Sequence, residues 1–576
     1  MIDKFIYGFI DRVYGADDYT QQEINAKLIQ KMDEVIENCN NAFEFVDWLK
    51  EEGVPDEVQT IINTMVEDGT LEKIINLEKI EEAKTELQNN INELTTSTES
   101  KLNNMTNSVN TLINENKELI NQNKTDLNNT ITEFKQEANT TISNLKEEVN
   151  ADILRFKNIV ICKNLEEFKN AITSAEQKPT DIYLVSGEYT LDGIVFIPSN
   201  TKIIGLGDVT IKATGLNCYF ANKTNGQAVE YNGTKNITIK NITFDGLDNS
   251  SGLTMIGIAH AENITVENCS FKNLHKWHMI EFNAVKQGYI KNCKFDNYGT
   301  SGNGGTEAIQ LDSMISESQY PWFGNYDGTA NTFIIIEGNS FSNIGVKAIG
   351  GHSFAAGSVQ RDIFIKNNTF DKVSTAININ DFDNLNVTDN NSNSCRQFLV
   401  TENVNNNSYN LNVVGNTHMG YYVNSTDGLG DERFVVLNGQ GNKGDLRIEH
   451  VNISNNHISS CSGHAIGCTA NYVTITNNNF YNIAKHGIFH YGGLCSSIIG
   501  NTFKDVGKLA DMYSIAVGNN SVEKSKGVIV NGNTVANLRG IRIFGYAESI
   551  VVTNNVATIV NDSSDYSVQA NNTTMS

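Results

Sequence analysis

The spacing of apolar residues changes character twice along the chain. Up to about residue 76 it is helical: in "EINAKLIQKMDEVIENCNNAFEFVDWLKEEG", Ile24, Leu28, Met32, Val35 and Ile36 fall on one face. Gly53 and Pro55 stop that helix, and "DEVQTIINTMVEDGTLEKIIN" begins another with Asp56 as its N-cap. The pattern predicts a small helical module over 1–76.

From 77 to 156 there is no Pro and no Gly, and apolar residues recur at alternating steps of three and four. Ile80, Leu87, Ile91 and Leu94 form one stretch, Met105, Val109, Leu112 and Leu119 a second, and Leu127, Ile131, Phe134, Ala138, Ile142, Leu145 and Val149 a third. An apolar heptad sustained this far predicts a coiled-coil stalk. Asn116 and Asn123 fall on its seam, where a polar side chain can fix register and oligomer state. The alternative is a long helix packed on its own chain; no equally long apolar partner helix is visible in the sequence.

After 157 the pattern becomes short β-branched runs set between Asn and Gly, such as "NITIKNITFDGL", "NITVENCSFKNL", "DIFIKNNTFDKV" and "YVTITNNNFYNI". Each is an alternating strand, a bend and then an apolar residue: Phe244, Phe271, Phe295, Phe341, Phe370, Ile458, Phe480, Phe503 and Val535. Several of the steps are 22 to 29 residues. That period means a solenoid, and β content with Asn at the bends selects a parallel β-helix over 157–560. Asn tolerates the left-handed backbone of a tight bend, and its amide can join a side-chain ladder. Cys269 and Cys293 share a slot and are expected to stack inside. Residues 561–576 read as a polar tail.

A second periodic element follows each bend, of the form small residue, Ile, x, apolar, x: "MIGIA", "MIEFN", "AIQLD", "AIGGH", "AININ". Alternation sends Ile280, Ile309, Ile349 and Ile377 inward and the first, third and fifth residues outward. Stacking then builds two outer columns. One reads Gly257, Glu281, Gln310, Gly350, Asn378; its neighbour reads Ala259, Asn283, Asp312, His352, Asn380.

These columns hold the candidate chemistry. Glu281 and Asp312 lie one coil and two residues apart, a diagonal of roughly 8 Å in the range of the acid and base of an inverting glycosidase. His352, above Asp312, is an alternative base, and Glu307 a supporting carboxylate. Asp381 and Asp383, just past the next strand, can serve as a base or help hold a cation. Close carboxylates suit Ca²⁺ through oxygen, although no cofactor is required. Gln310, Lys347, Asn378, Asn380, Asp381 and Asp383 are candidates for substrate contact. Trp277 and the insertion "SMISESQYPWFGNYDGTAN", with Tyr320, Trp322 and Tyr326, offer aromatic faces suited to sugar rings. The bland reading of the columns is solvent-facing polar residues, and of the insertion a self-packed cap. His490, in "HGIFHYGG", points inward and reads as structural.

Composition narrows the partners. A formal charge of −24 over 576 residues argues against nucleic acid. No apolar run approaches the ~18 residues of a membrane span, and no secretion signal is evident at the N-terminus. The nine Cys lack CxxC spacing and read as buried thiols of a protein made in a reducing cytosol.

"VDWLKEEGVPDEVQTIINTMVEDGTLEKIIN" resembles the N-terminal region of tail appendage or tail spike proteins of small tailed bacteriophages. Residues 157–560 resemble the pectate-lyase-like right-handed β-helix of such spikes. "EAIQLD", "YDGT" and "AIGGHS" are similar to a series that recurs in β-helix proteins of Gram-positive bacteria and their phages. The resemblance implies a mainly β fold, a right-handed parallel β-helix preceded by an α-helical module and a trimeric coiled coil. It further implies a homotrimeric virion component, assembled in the host cytoplasm, whose N-terminal module meets phage tail or collar proteins. Such proteins bind and often cleave a host surface polysaccharide or wall teichoic acid. Only Glu307, Asp312 and His352 carry over, as polar members of the motif. Hydrolysis is the leading expectation. A lyase, with Lys347 and His352 abstracting a proton beside a uronate carboxylate, and a non-enzymatic receptor-binding fibre stay open. A bacterial surface adhesin is disfavoured by the missing secretion signal.

Overall fold

The computed structural model of the protein describes residues 77–155, 158–224, 226–299, 307–315, 324–352, 354–420, 432–437, 446–519, 523–536, 539–562 and 567–573. The expected helical module at 1–76 lies outside them. Two compact units divide the chain, Met1–Lys146 and Glu147–Ser576.

Leu77–Arg155 is a single helix of 79 residues. The irregular "TTSTESK" stretch does not interrupt it, as expected where neither Pro nor Gly intervenes. Of the expected seam, Met105, Leu112, Leu119, Phe134, Ile142 and Leu145 are exposed and Leu127 and Ile131 half-buried; Ile113, outside the expected seam, is buried. Most of the seam is therefore an open apolar stripe on the described part of the helix.

The second unit is a right-handed parallel β-helix, each strand pairing in parallel with its counterpart one coil on. Its N-terminal end is closed by the short helix Leu165–Ala175. Asn164 caps it by accepting from the Glu167 N–H at 2.9 Å, and Glu167 accepts in return from the Lys163 N–H at 2.7 Å. Phe168, Ala171, Ile172 and Ala175 turn inward, and Phe168 meets Tyr189 and Phe220 with ring centroids 6.3 and 6.0 Å apart. The apolar end of the solenoid is covered in this way.

Inside, the slot of apolar residues forms the expected stack. Phe244, Phe271, Phe295, Phe341 and Phe370 are in register, with successive centroids 4.7 to 5.1 Å apart. Two coils missed by the sequence pattern follow. In them Ser392 and His418 occupy the same slot before Ile458, Phe480 and Phe503 resume it. Ser392 Oγ lies 2.7 Å from His418 Nδ1, and burial pushes the His418 imidazole down to about 3. A polar pair thus replaces two rings without leaving the register.

Beside the rings, Asn339, Asn368, Asn390, Asn416, Asn456, Asn478, Asn501, Asn533, Asn555 and Asn572 stack as a ladder. From Asn368 on, each Oδ1 accepts from the backbone N–H and side-chain Nδ2 of the Asn one coil earlier at 2.9 to 3.1 Å. Cys269 and Cys293 extend the column downward, and the Cys293 N–H donates to Asn339 Oδ1 at 2.8 Å. All cysteines among the described residues are free thiols. The last coil also reaches past the expected boundary at 560: Ser567–Ala570 pairs with Ile550–Thr553, and Asn572 joins the ladder. Polar composition there reflects ladder chemistry, not a loose tail.

One expectation about alternation fails. Met279, Ala308, Ala348 and Ala376, read as outward, lie in the core beside the inward Ile residues. The chain turns a corner there, so strict period-2 alternation does not apply. The corner sends Glu307 and Lys347 to the outside.

Asn478→Ala should lower the unfolding free energy by about 2–4 kcal/mol, because it strands the buried Asn456 N–H and the Ile453 carbonyl. Asn479→Ala, at the exposed neighbouring position, should stay within about 0.5 kcal/mol of the parent. Equilibrium urea unfolding compares them; equal effects would remove the ladder as the source of stability.

Candidate functional site

The outer columns assemble in the expected register. Glu281 pairs with Gly257 on one side and Gln310 on the other, Gln310 with Gly350, and Gly350 with Asn378. Asn283 pairs with Asp312, whose Oδ1 accepts from the His352 N–H at 2.8 Å. The corner adds a third column in which Glu307 pairs with Lys347 and Lys347 with Thr375. His278 sits beneath Glu307, its Nδ1 2.8 Å from the Glu307 carbonyl. The result is a polar floor three columns wide and four coils long.

Glu307 is the most constrained group on it. Its side chain leans across Gly350, where a Cβ would lie 2.4 Å from Glu307 Cγ. Only the absence of that Cβ admits the carboxylate. Glu307 Oε1 accepts from Lys347 Nζ at 2.8 Å, and His352 Nδ1 lies 3.3 Å from the same oxygen, an ion-pair contact without hydrogen-bond alignment. Burial alone would raise the Glu307 carboxyl, but His352, Lys347 and His278 more than reverse it and hold it down at about 2. The Glu307 contact in turn raises the His352 imidazole above its ordinary value, against burial and with help from Asp312.

Glu281 behaves oppositely. Its carboxyl accepts from Asn283 Nδ2 at 2.9 Å and from Thr254 Oγ1 at 3.2 Å. Burial pushes it above the ordinary glutamate range; His278 and the two hydrogen bonds offset only part of the rise, and Asp312 adds to it. Asp312 Oδ2 accepts from Gln310 Nε2. Glu281 is 3% exposed and Asp312 fully buried, so the face is a covered floor and not the open surface expected.

The described ends of the insertion pack near this face. Met314, Tyr326 and Trp277 form an outer apolar cluster with Cys218, Ala221, Ala259 and Ala284. The described ends of the insertion are tied down: the Asn325 N–H donates to the Ala228 carbonyl at 3.0 Å, its carbonyl meets His260 Nε2 at 2.7 Å, and Tyr231 Oη donates to the Ala330 carbonyl at 2.9 Å. Trp277 takes a left-handed φ of 71° and packs on Gly252, where a Cβ would lie 2.6 Å from the indole. Trp277 and Tyr326 therefore spend ring surface on packing, as a self-packed cap does. Tyr320 and Trp322 lie outside the described residues.

Asn378 and Asn380 belong to the floor, 8% and 7% exposed. Asp381 and Asp383, expected to meet substrate or a cation, do not join it. Asp381 is fully buried, and its carboxylate accepts from the Val404 and Asn405 N–H groups at 2.6 and 2.8 Å. It anchors a loop. Asp383 lies around the next corner, paired with Arg361 and Tyr409, and accepts from Asn410 at 3.0 Å. The two carboxylates point to different surroundings and do not share a cation. Among the described residues no group of three or more His, Cys, Asp or Glu is arranged to hold a metal ion. His490 is buried between Ser525 and Ser496, each at 2.8 Å. Sequence reasoning gave no role to His278, Thr254, Asn283 or Gly350, which hold the carboxyls. Period alone marks their columns but not their contacts. Two cavities of about 260 and 470 Å³ lie at the N-terminal cap, both bordered by Glu176 and Lys223 and neither by a floor residue.

No known family model matches the sequence. The chain is 26% identical over 174 residues to the pre-neck appendage protein of Bacillus phage B103, covering 29% of this chain and 19% of that protein. It is 27% identical over 237 residues to plasmin and fibronectin-binding protein A of Streptococcus pneumoniae (strain ATCC BAA-255 / R6), covering 34% and 32%. The chain thus spans only about a fifth and a third of these relatives. A tailspike protein variant of E. coli bacteriophage HK620, in complex with a pentasaccharide, superposes with a TM-score of 0.50 at 13% identity over 71% of this chain and 74% of that one. The resemblance to phage appendage and tailspike proteins holds. The structural likeness speaks for the β-helix alone. No helix among the described residues is long and apolar enough to cross a membrane.

The Glu307 carboxyl is depressed on folding, so its contribution is present above the ordinary glutamate range and lost as pH falls toward about 2. Glu307→Gln should flatten that acid limb and cost about 1–3 kcal/mol at neutral pH. That is less than for a fully buried pair, because Lys347 and His352 stay partly in water. Thermal melts from pH 7 to pH 2 check it; an unchanged acid limb would contradict the assignment.

Proposed function

We propose that the protein is a tail-spike-type virion component that binds a host cell-surface polysaccharide or wall teichoic acid and hydrolyses it on this floor. The observation that carries the reading is the Glu281 and Asp312 pair, on adjacent strands and two residues out of register, with Glu281 favoured in its protonated form by burial. Strand spacings set them about 8 Å apart, inside the roughly 6.5–9.5 Å that leaves room for a water in inverting hydrolysis. Glu281 gives its proton to the glycosidic oxygen as that bond breaks. Asp312 takes a proton from the water whose oxygen bonds to the anomeric carbon. Glu307 and His352 hold the neighbouring charge fixed. Similarity to a phage pre-neck appendage protein supports the virion assignment, and the glycan-bound tailspike with the same fold supports a sugar-binding shaft. The open heptad seam supports a trimer joined through the long helix, with the N-terminal module meeting tail or collar proteins.

A second reading, recognition without cleavage, is favoured by the burial of both carboxyls. Incubation with purified wall polysaccharide and wall teichoic acid separates the two. New reducing ends support hydrolysis, unsaturated uronate products a lyase, and binding with unaltered polymer a fibre.

For a hydrolase, Glu281→Gln and Asp312→Asn should each lower turnover by about 10²–10⁴. Ionising the raised Glu281 costs stability as pH climbs above the ordinary glutamate range, so Glu281→Gln should be at least as stable as the parent at neutral pH. Full cleavage by the double variant would remove the catalytic assignment. Light scattering should give the mass of three protomers, and a monomer would overturn the trimer.

A further inference from the structure

The floor contains two buried acceptor oxygens with no hydrogen-bond partner among the described residues: Glu307 Oε2 and Gln310 Oε1. Glu307 is fully buried and Gln310 is 5% exposed. The two side chains are neighbours on the floor, since Glu307 lies over Gly350 and Gly350 is the residue paired with Gln310. An acceptor buried without a donor is costly, about 1–3 kcal/mol each. The remaining atoms of both groups are spent, Glu307 Oε1 on Lys347 and Gln310 Nε2 on Asp312. What the pair lacks is donors.

The cations nearby do not invite an anion. Lys347 and His352 both face the Glu307 carboxylate, and Asp312 takes the His352 N–H. Their charge is balanced by two carboxyl groups on the same floor. The chain as a whole carries −24 and repels polyanions at long range. The side chains against Glu307 Oε1 are 25% exposed for Lys347 and 39% for His352, so the surroundings of this carboxylate reach solvent.

Resting on the glycan-binding reading above, we infer that Glu307 Oε2 and Gln310 Oε1 form a subsite for a pair of neighbouring sugar hydroxyls. The floor is thereby selective for a neutral hexose unit over a uronate or a polyol phosphate. Two hydroxyls of a pyranose are donors of the right kind; a uronate or polyol phosphate carries hydroxyls too, but brings its negative charge beside the ionised Glu307 and is disfavoured for that reason. Asn378 and Asn380, neutral amides one coil above Gly350 and His352, continue the same uncharged chemistry.

The test uses the full chain and monosaccharide probes at millimolar concentration, read by saturation-transfer NMR: glucose, galactose, mannose and N-acetylglucosamine against galacturonate and glycerol 1-phosphate. At least one neutral sugar should bind, with affinity unchanged by added salt, while the two anions bind at least tenfold more weakly. Gln310→Met keeps the side-chain length, removes the acceptor and should weaken the neutral sugar about tenfold. Glu307→Gln keeps one oxygen and should weaken it less than Glu307→Ala. Tighter, salt-sensitive binding of galacturonate or glycerol 1-phosphate would overturn the subsite, and so would binding of no probe at all. Either failure leaves the polymer-cleavage assay standing, so loss of the subsite and loss of the glycan reading are told apart.

Discussion

The features of the β-helix depend on coil-to-coil register, and from Asn339 to Asn572 the interaction that fixes it is the buried asparagine ladder, which Cys293 joins through its N–H. A strand stack held only by apolar contacts can slip, because Ile over Ile satisfies many alignments. An amide that must meet the N–H and the amide of the next coil permits one alignment. A slip would leave both buried and unpaired, at a cost of a few kcal/mol per coil. Rings stacked about 5 Å apart beside the ladder then follow its spacing, and so do the outer columns.

The polar floor is a consequence of that register. Glu281, Gln310, Gly350 and Asn378 come from segments far apart in sequence, yet the pairing sets them side by side with no loop to position them. Rigid strands suit a site in which one carboxyl is pushed toward its protonated form and another, one coil away, is held ionised. The divergence has a plain source: Glu281 is buried among neutral hydrogen-bond donors, while Glu307 is buried against Lys347 and His352.

Most of the architecture was legible because period is a strong signal. The long helix, the Phe slot, the stacked cysteines and both outer columns follow from counting residues. Three things were not. Ser392 and His418 hid two coils, since a polar residue in a core slot erases the apolar mark that counting relies on. The corner before Ile309 broke alternation and put Glu307 and Lys347 outside, and corners leave no hydropathy signature. Burial of Asp381 and of the floor carboxyls depends on which loop folds over which face, and hydrogen bonds such as Asp381 to Val404 are tertiary facts.

The Ser392–His418 pair has a bearing beyond the coils it hides. An imidazole held neutral in the core gains a proton more readily once the chain is unfolded. Each pH unit below its ordinary value therefore costs the folded state up to about 1.4 kcal/mol, until the folded value near 3 is reached. His486 and His490 are likewise pushed down to about 4 by burial, and both lie further along the same solenoid. These three acid-sensitive imidazoles all sit on the C-terminal side of the floor. Acid thus weighs on the folded state through imidazoles of the coils beyond the floor, while on the floor Glu307 stays ionised down to about pH 2.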